Sequence, residues 1–237
     1  MIKIKSMKYL ILFIVLSSFC QNKIDGQRII KYSDKNFNYL LALDTSYDSN
    51  LDSTIKSITI QDLKTKKVVQ KIIIEENEFK RAGNGGFIIE DMNFDGYNDF
   101  RLCSIRGNHA TAYYYWIYNQ SLKKFSRDTL MEVISSPYFD QKKKRIEVGW
   151  HVSGTFGSET YKWVNKKVVC IFQKEDSPIY YRDDEANNTD DDGNRKAKFR
   201  IITINKLVND KLKEVFRKEY TEKEYANLDY KSLPQPD

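Results

Sequence analysis

The chain has 237 residues, with 39 Lys and Arg against 33 Asp and Glu, for a formal charge of +6. Half of that excess, Lys3, Lys5 and Lys8, stands in the first eight residues. The rest is weakly basic with both signs mixed throughout, which suits solubility and excludes the concentrated basic surface that nucleic-acid binding needs.

In chain order, the first segment is "MIKIKSMKYLILFIVLSSFCQNK". Lysines precede a short apolar run from Tyr9 to Leu16, about half of what a spanning helix needs, and small residues follow. This order predicts a signal peptide over residues 1–20, cleaved before Gln21, and hence an exported protein. Lipidation of Cys20 is one alternative, and a retained membrane anchor is the other.

The chain from position 21 onward is long enough for a full core and predicts a single domain. Its periodicity is that of strands. "STIKSITIQDL", "GGFIIED", "YYYWIYN", "RIEVGWHV", "TYKWV", "VVCIF" and "FRIITI" are short, rich in β-branched or aromatic residues, and bounded by turn residues. Five connections share one plan: "IQDLKTKKVVQ", "IYNQSLKKFSR", "FDQKKKRIEVG", "WVNKKVVCI" and "INKLVNDKLKEVF". Each has a strand end, then Asn or Asp, then lysine, then a new strand. Asn and Asp tolerate unusual turn angles, and lysines keep a hairpin tip in water. Successive hairpins make a meander, so the fold class is all-β, antiparallel, a sandwich or partial propeller. A long acidic loop falls at about 182–196, followed by a final hairpin over 198–220 and a flexible C-terminal tail.

The run "EDMNFDGYNDF", from Glu90 to Phe100, is the strongest chemical signal. A hard cation such as calcium takes six to eight oxygens, which a loop provides from alternate side chains and a backbone carbonyl. Asp91, Asn93 and Asp95 hold positions one, three and five, the Tyr97 carbonyl position seven, and Asp99 position nine. Gly96 permits the sharp turn. Leu102 stands where a helix-loop-helix site carries its bidentate glutamate, and strand-like segments flank the loop, so a strand-loop-strand calcium site is expected. The second acidic run, "NTDDDGNRK", places Lys196 where the first loop has Asp99 and reads as a solvated loop.

Two further segments suggest a partner surface. "SIRGNHATAYYYW" sets Arg106 and His109 between apolar strands. "HVSGTFGSETY" carries Ser153, Gly154, Phe156 and Tyr161 in a glycine-rich stretch with an aromatic at its middle, which suits insertion into a partner's cleft. His151 and Ser153 could share a strand face as a proton relay, but no nucleophile-elbow spacing accompanies them, so no enzyme is expected. Cys103 and Cys170, left in an oxidising compartment, are expected to form a disulfide, with two buried free thiols as the alternative.

"FIIEDMNFDGYNDFRL", followed by "YYYWIYNQSLKKF" and "ETYKWVNKKVV", resembles a family of exported bacterial calcium-loop proteins. That family includes periplasmic immunity proteins against lysozyme-like toxins delivered by type IV secretion, and it is similar in fold to inhibitors of invertebrate-type lysozymes. The resemblance implies a structural calcium at Asp91, Asn93, Asp95, Tyr97 and Asp99, and a protein partner in the cell envelope or periplasm. The lysozyme inhibitors use a protruding Ser-Gly-x-x-Tyr element. Here Ser153 and Gly154 match it, and Tyr161 stands later than its spacing. The expected function is inhibition of, or immunity to, a peptidoglycan-cleaving hydrolase. The alternative is a calcium-stabilised envelope module binding surface glycan or another envelope protein.

Overall fold

The structure, a computed structural model, describes residues 23–24, 27–44, 54–74, 86–107, 110–180 and 197–236. The expected signal peptide, Cys20, His109 and the acidic loop at 182–196 lie outside the described residues. None of the described helices is long and apolar enough to cross a membrane.

The described chain is almost wholly strand, in three antiparallel sheets whose strand order follows the sequence. It is an all-β meander, as the periodicity predicts. Where the sequence suggests one domain, the chain divides into two compact units. The first holds a five-stranded sheet of β1 (Lys23–Ile24), β2 (Gln27–Ser33), β3 (Phe37–Asp44), β4 (Thr54–Asp62) and β5 (Val68–Ile73). In β3, Phe37, Tyr39, Leu41 and Leu43 are all buried, the period-two spacing of one covered sheet face. Ile58 and Ile60 on β4 are buried as well.

The second unit holds the other two sheets. A four-stranded sheet contains β6 (Phe87–Glu90), β7 (Asp99–Arg106), β8 (Thr111–Asn119) and β9 (Lys124–Arg127). A six-stranded sheet contains β10 (Tyr138–Asp140), β11 (Arg145–Val152), β12 (Thr155–Val164), β13 (Lys167–Tyr180), β14 (Ala197–Val208) and β15 (Lys211–Thr221). A core of Met92, Tyr115, Met131, Ile134, Ile146 and Val148, among others, joins them. The "YYYWIYN" strand adds aromatic packing: Trp116 stacks on Phe100 at 5.1 Å, and Tyr118 meets Phe125 at 5.0 Å.

All five Asn/Asp-Lys connections are hairpins. The side chain acts first: Asp62 Oδ1 accepts from Lys64 N and Thr65 N, Asn119 Oδ1 from Leu122 N, and Asp140 Oδ1 from Lys142 N and Lys143 N. In the two-residue turns, Asn165–Lys166 and Asn209–Asp210, both residues have positive φ. That is the pattern matching the right-handed twist of paired strands.

Two expectations need correction. The C-terminal tail is packed, not loose. A short helix α1 (Glu222–Ala226) opens on a capping box at Thr221 and Glu224. The chain then lays Leu228 and Leu233 against Phe172, Ile202 and Ile204, leaving Leu233 only 5% exposed. The apolar residues of "YANLDYKSL" fall at irregular intervals, which hid this packing. Cys103 and Cys170 are free thiols. They stand on β7 and β13, in different sheets, and the Cys170 thiol points to Phe172 O at 3.4 Å.

Candidate functional site

The Asp91–Asn98 loop joins β6 to β7, so the strand-loop-strand setting is present. The loop orders itself through its own side chains. Asp91 accepts from Asp95 N at 3.1 Å and from Gly96 N at 2.8 Å. Asn93 Oδ1 accepts from Asp95 N at 3.1 Å, and Asp95 Oδ1 accepts from Tyr97 N at 2.9 Å. Gly96 sits at φ +90° and Phe94 at +62°. The strained Phe94 is held because its ring packs against the core near Phe139. Gln141 Nε2 donates to Asp91 O, and Trp163 Nε1 to Met92 O, fixing the loop from the neighbouring sheet.

Asp99 stands apart. It is fully buried at the first position of β7, where Oδ2 accepts from Met92 N at 2.9 Å and Oδ1 from Tyr118 N at 2.8 Å. Burial pushes its carboxyl up to about 7; the two backbone hydrogen bonds oppose the rise, and the charges of Asp95 and Asp91 add to it. Among the described residues, no three His, Cys, Asp or Glu side chains gather closely enough to hold a metal. The all-oxygen donor set of Asp91, Asn93, Asp95 and the Tyr97 carbonyl nonetheless suits a hard cation in kind. Asp99 anchors the base of that loop to β8, and each of its oxygens keeps one lone pair.

The expected partner residues are not in one loop. Ser153 and Gly154 form a two-residue turn between β11 and β12, with φ +48° and +80°. "TFGSETY" is not a loop but the first seven residues of β12, paired on both sides. Phe156 is 51% exposed just below the turn, with His151 stacked on it at 4.3 Å. Tyr161 is no exposed anchor. It packs against the core on the opposite face and donates its hydroxyl to Glu159. Arg106 lies exposed at the end of β7, in the other sheet of this unit.

The residues that surround Phe156 were not singled out by the sequence. Arg200 on β14 places its guanidinium 5.7 Å from the Phe156 ring centre and 4.9 Å from that of Tyr225. Its Nε donates to Asp176 Oδ1 at 2.6 Å, and an Nη donates to Gly154 O at 3.0 Å and Asp176 O at 3.1 Å. Asp176 Oδ2 accepts from Tyr225 Oη at 2.6 Å and Tyr230 Oη at 3.0 Å. Both tyrosine hydroxyls are raised, first by burial. The hairpin turn is thus tied to β13, β14 and the C-terminal segment. Beside it opens a cavity of about 370 Å³ lined by Phe156, Ser158, Lys174, Asp176, Tyr225 and Tyr230. The register explains the gathering: Phe156 pairs with Asp176, Ser158 with Lys174, and Arg200 with Pro178, all on one sheet face.

No protein-family model matches this chain, and no curated protein matches it in sequence. Among solved structures, it is similar to one described as "Structure of a Xanthomonas Type IV Secretion System related protein". The TM-score is 0.53 at 15% identity, covering 83% of this chain and 97% of that one. The likeness is one of fold.

Proposed function

We propose that the protein is an exported envelope protein associated with type IV secretion that binds and blocks a lysozyme-like hydrolase, without turning over a substrate. The observation that carries this reading is the braced β11–β12 hairpin, whose half-exposed Phe156 is held between His151 and Arg200. A projecting aromatic fixed before contact loses little freedom on binding, which favours affinity. The fold likeness to a type IV secretion related protein supports the setting, and the calcium-loop resemblance supports the class of target.

The test is muramidase assays against a panel of lysozyme-like hydrolases, with capture from envelope extract. Wild-type protein should slow at least one of them. Phe156→Ala should weaken that inhibition by about 2 kcal/mol or more, roughly thirty-fold. A wild type that slows and captures no hydrolase overturns the reading in favour of a non-inhibitory envelope module.

We also propose that Asp91, Asn93, Asp95 and the Tyr97 carbonyl hold a structural calcium, with Asp99 supporting the loop. An extracellular loop of this kind binds on the order of 10⁻⁴–10⁻³ M, so millimolar calcium should raise the melting temperature by mass action. Asp95→Ala should abolish that rise and leave the calcium-free protein near wild-type stability. Asp99→Ala should destabilise even the calcium-free protein by about 1–3 kcal/mol for each of the two buried N–H groups it strands. Scanning calorimetry with calcium or chelator separates the two roles, and a wild-type transition that ignores calcium removes the metal.

A further inference from the structure

The cavity beside Phe156 contains one charge that makes no hydrogen bond or ion pair with any of the described residues. Asp176 is fully engaged: one oxygen faces Arg200, the other faces two tyrosine hydroxyls. Lys174, one register step away opposite Ser158, is not. Its ammonium lies 4.1 Å from the centre of the Tyr230 ring and makes no hydrogen bond or ion pair with any of the described residues. Three N–H donors therefore line a half-buried space with no acceptor assigned to them. Burial lowers the Lys174 pKa, opposed by the nearby charge of Asp176, so the cation is held there at a cost that an anion would relieve.

Each of the cavity's aromatic walls already carries a cation. His151 and Arg200 flank the Phe156 ring, Arg200 lies over Tyr225, and Lys174 over Tyr230. What the space offers, at the foot of a half-exposed aromatic, is the Lys174 ammonium without an acceptor among the described residues, beside an Arg200–Asp176 pair that is already closed.

We propose that this cavity is a carboxylate-binding site, and that a protein partner seated on the β11–β12 hairpin places an acidic side chain in it against the Lys174 ammonium. The partner half of this statement rests on the reading of the hairpin as a binding surface; the carboxylate half does not. Phe156 gives apolar contact area, and Lys174 selects partners with an acidic group at one fixed distance from it. A charge-assisted bond in a partly desolvated pocket adds specificity as well as affinity.

The test uses the full chain labelled with ¹⁵N and needs no hydrolase. N-acetyl-aspartate amide stands in for the acidic side chain, N-acetyl-asparagine amide is the uncharged control, and glucuronate represents an acidic sugar. The aspartate compound should shift the amides of Ser158, Lys174 and Tyr230 saturably, with a dissociation constant on the order of 1–10 mM. Lys174→Met should weaken that response at least ten-fold at unchanged melting temperature, and Lys174→Arg should keep most of it. The asparagine compound should leave these amides unmoved. No saturable shift, or an equal response from the asparagine compound or from Lys174→Met, overturns the site. Tighter binding of glucuronate than of the aspartate compound overturns the protein side chain as its occupant. A chain that binds the aspartate compound but slows no hydrolase keeps the site and loses the hydrolase reading; the reverse result keeps that reading and loses the site.

Discussion

Asp176→Ala should lower the stability of the β6–β15 unit by about 3–5 kcal/mol, the range for removing one member of a buried ion pair. Asp176 is 4% exposed, and the side chain of its Arg200 partner is 16% exposed. The substitution removes the carboxylate that pairs with the Arg200 charge and accepts from both tyrosine hydroxyls, leaving Arg200 its bonds to two backbone carbonyls and Tyr230 its bond to Tyr225. Much of the loss comes from leaving the Arg200 charge unpaired, so Asp176→Ala combined with Arg200→Met should recover part of it. Glu214→Gln is the contrast. Its contact with Arg217 is 4.0 Å long and exposed on both sides, and its loss should change stability by no more than about 1 kcal/mol. Denaturant unfolding measures all three, and equal midpoints for Asp176→Ala and Glu214→Gln would remove Asp176 from the centre of this network. The same variant reports on function. Arg200 also holds the Gly154 carbonyl, so Asp176→Ala should lose hydrolase inhibition at temperatures where the chain is still folded.

The architecture was legible because hairpin turns are local. Asp62, Asn119 and Asp140 cap their own turns within three residues, and a local bond leaves a local pattern. The turn at Asp91–Gly96 was legible for the same reason: Asp91 and Asn93 organise a span of six residues. The spacing sets Asp99 at position nine of the loop, but spacing alone does not reveal its burial. Its second partner, Tyr118 N, stands 19 residues away across the sheet. The Asp176 network left no trace in the sequence at all. Its tyrosines lie 49 and 54 residues from it, in a segment with weak periodicity. The same limit explains "SGTFGSETY". Two glycines and four serines and threonines look like a loop one residue at a time. From Thr155 onward they form a strand because β11 and β13 both pair with it, and because Gly157 makes room for a tryptophan.

That glycine carries the other large effect. Gly157 on β12 is the register partner of Trp150 on β11. A Cβ at Gly157 would lie 2.0 Å from Trp150 Cε2, 2.1 Å from Cζ2 and 2.6 Å from Nε1. No carbon approaches a ring atom so closely, and an indole is not a flexible tip that can step aside. The ring also packs against the Ile146–Val148 core, so moving it disturbs that contact as well. An aromatic laid over a cross-strand glycine is a known way of pinning register; here it fixes the strand that presents Phe156. Gly157→Ala should therefore cost about 1–3 kcal/mol as overpacking, shift tryptophan emission, and weaken hydrolase inhibition through the displaced neighbour Phe156. Gly149→Ala is the matched control, since a Cβ there meets nothing within 4 Å. It should be neutral or slightly stabilising, because alanine restricts the unfolded chain more than glycine does. Unchanged emission and an unchanged unfolding midpoint in Gly157→Ala would mean that Trp150 does not cover the glycine. The reading of β12 as a rigid platform for Phe156 would then fail with it.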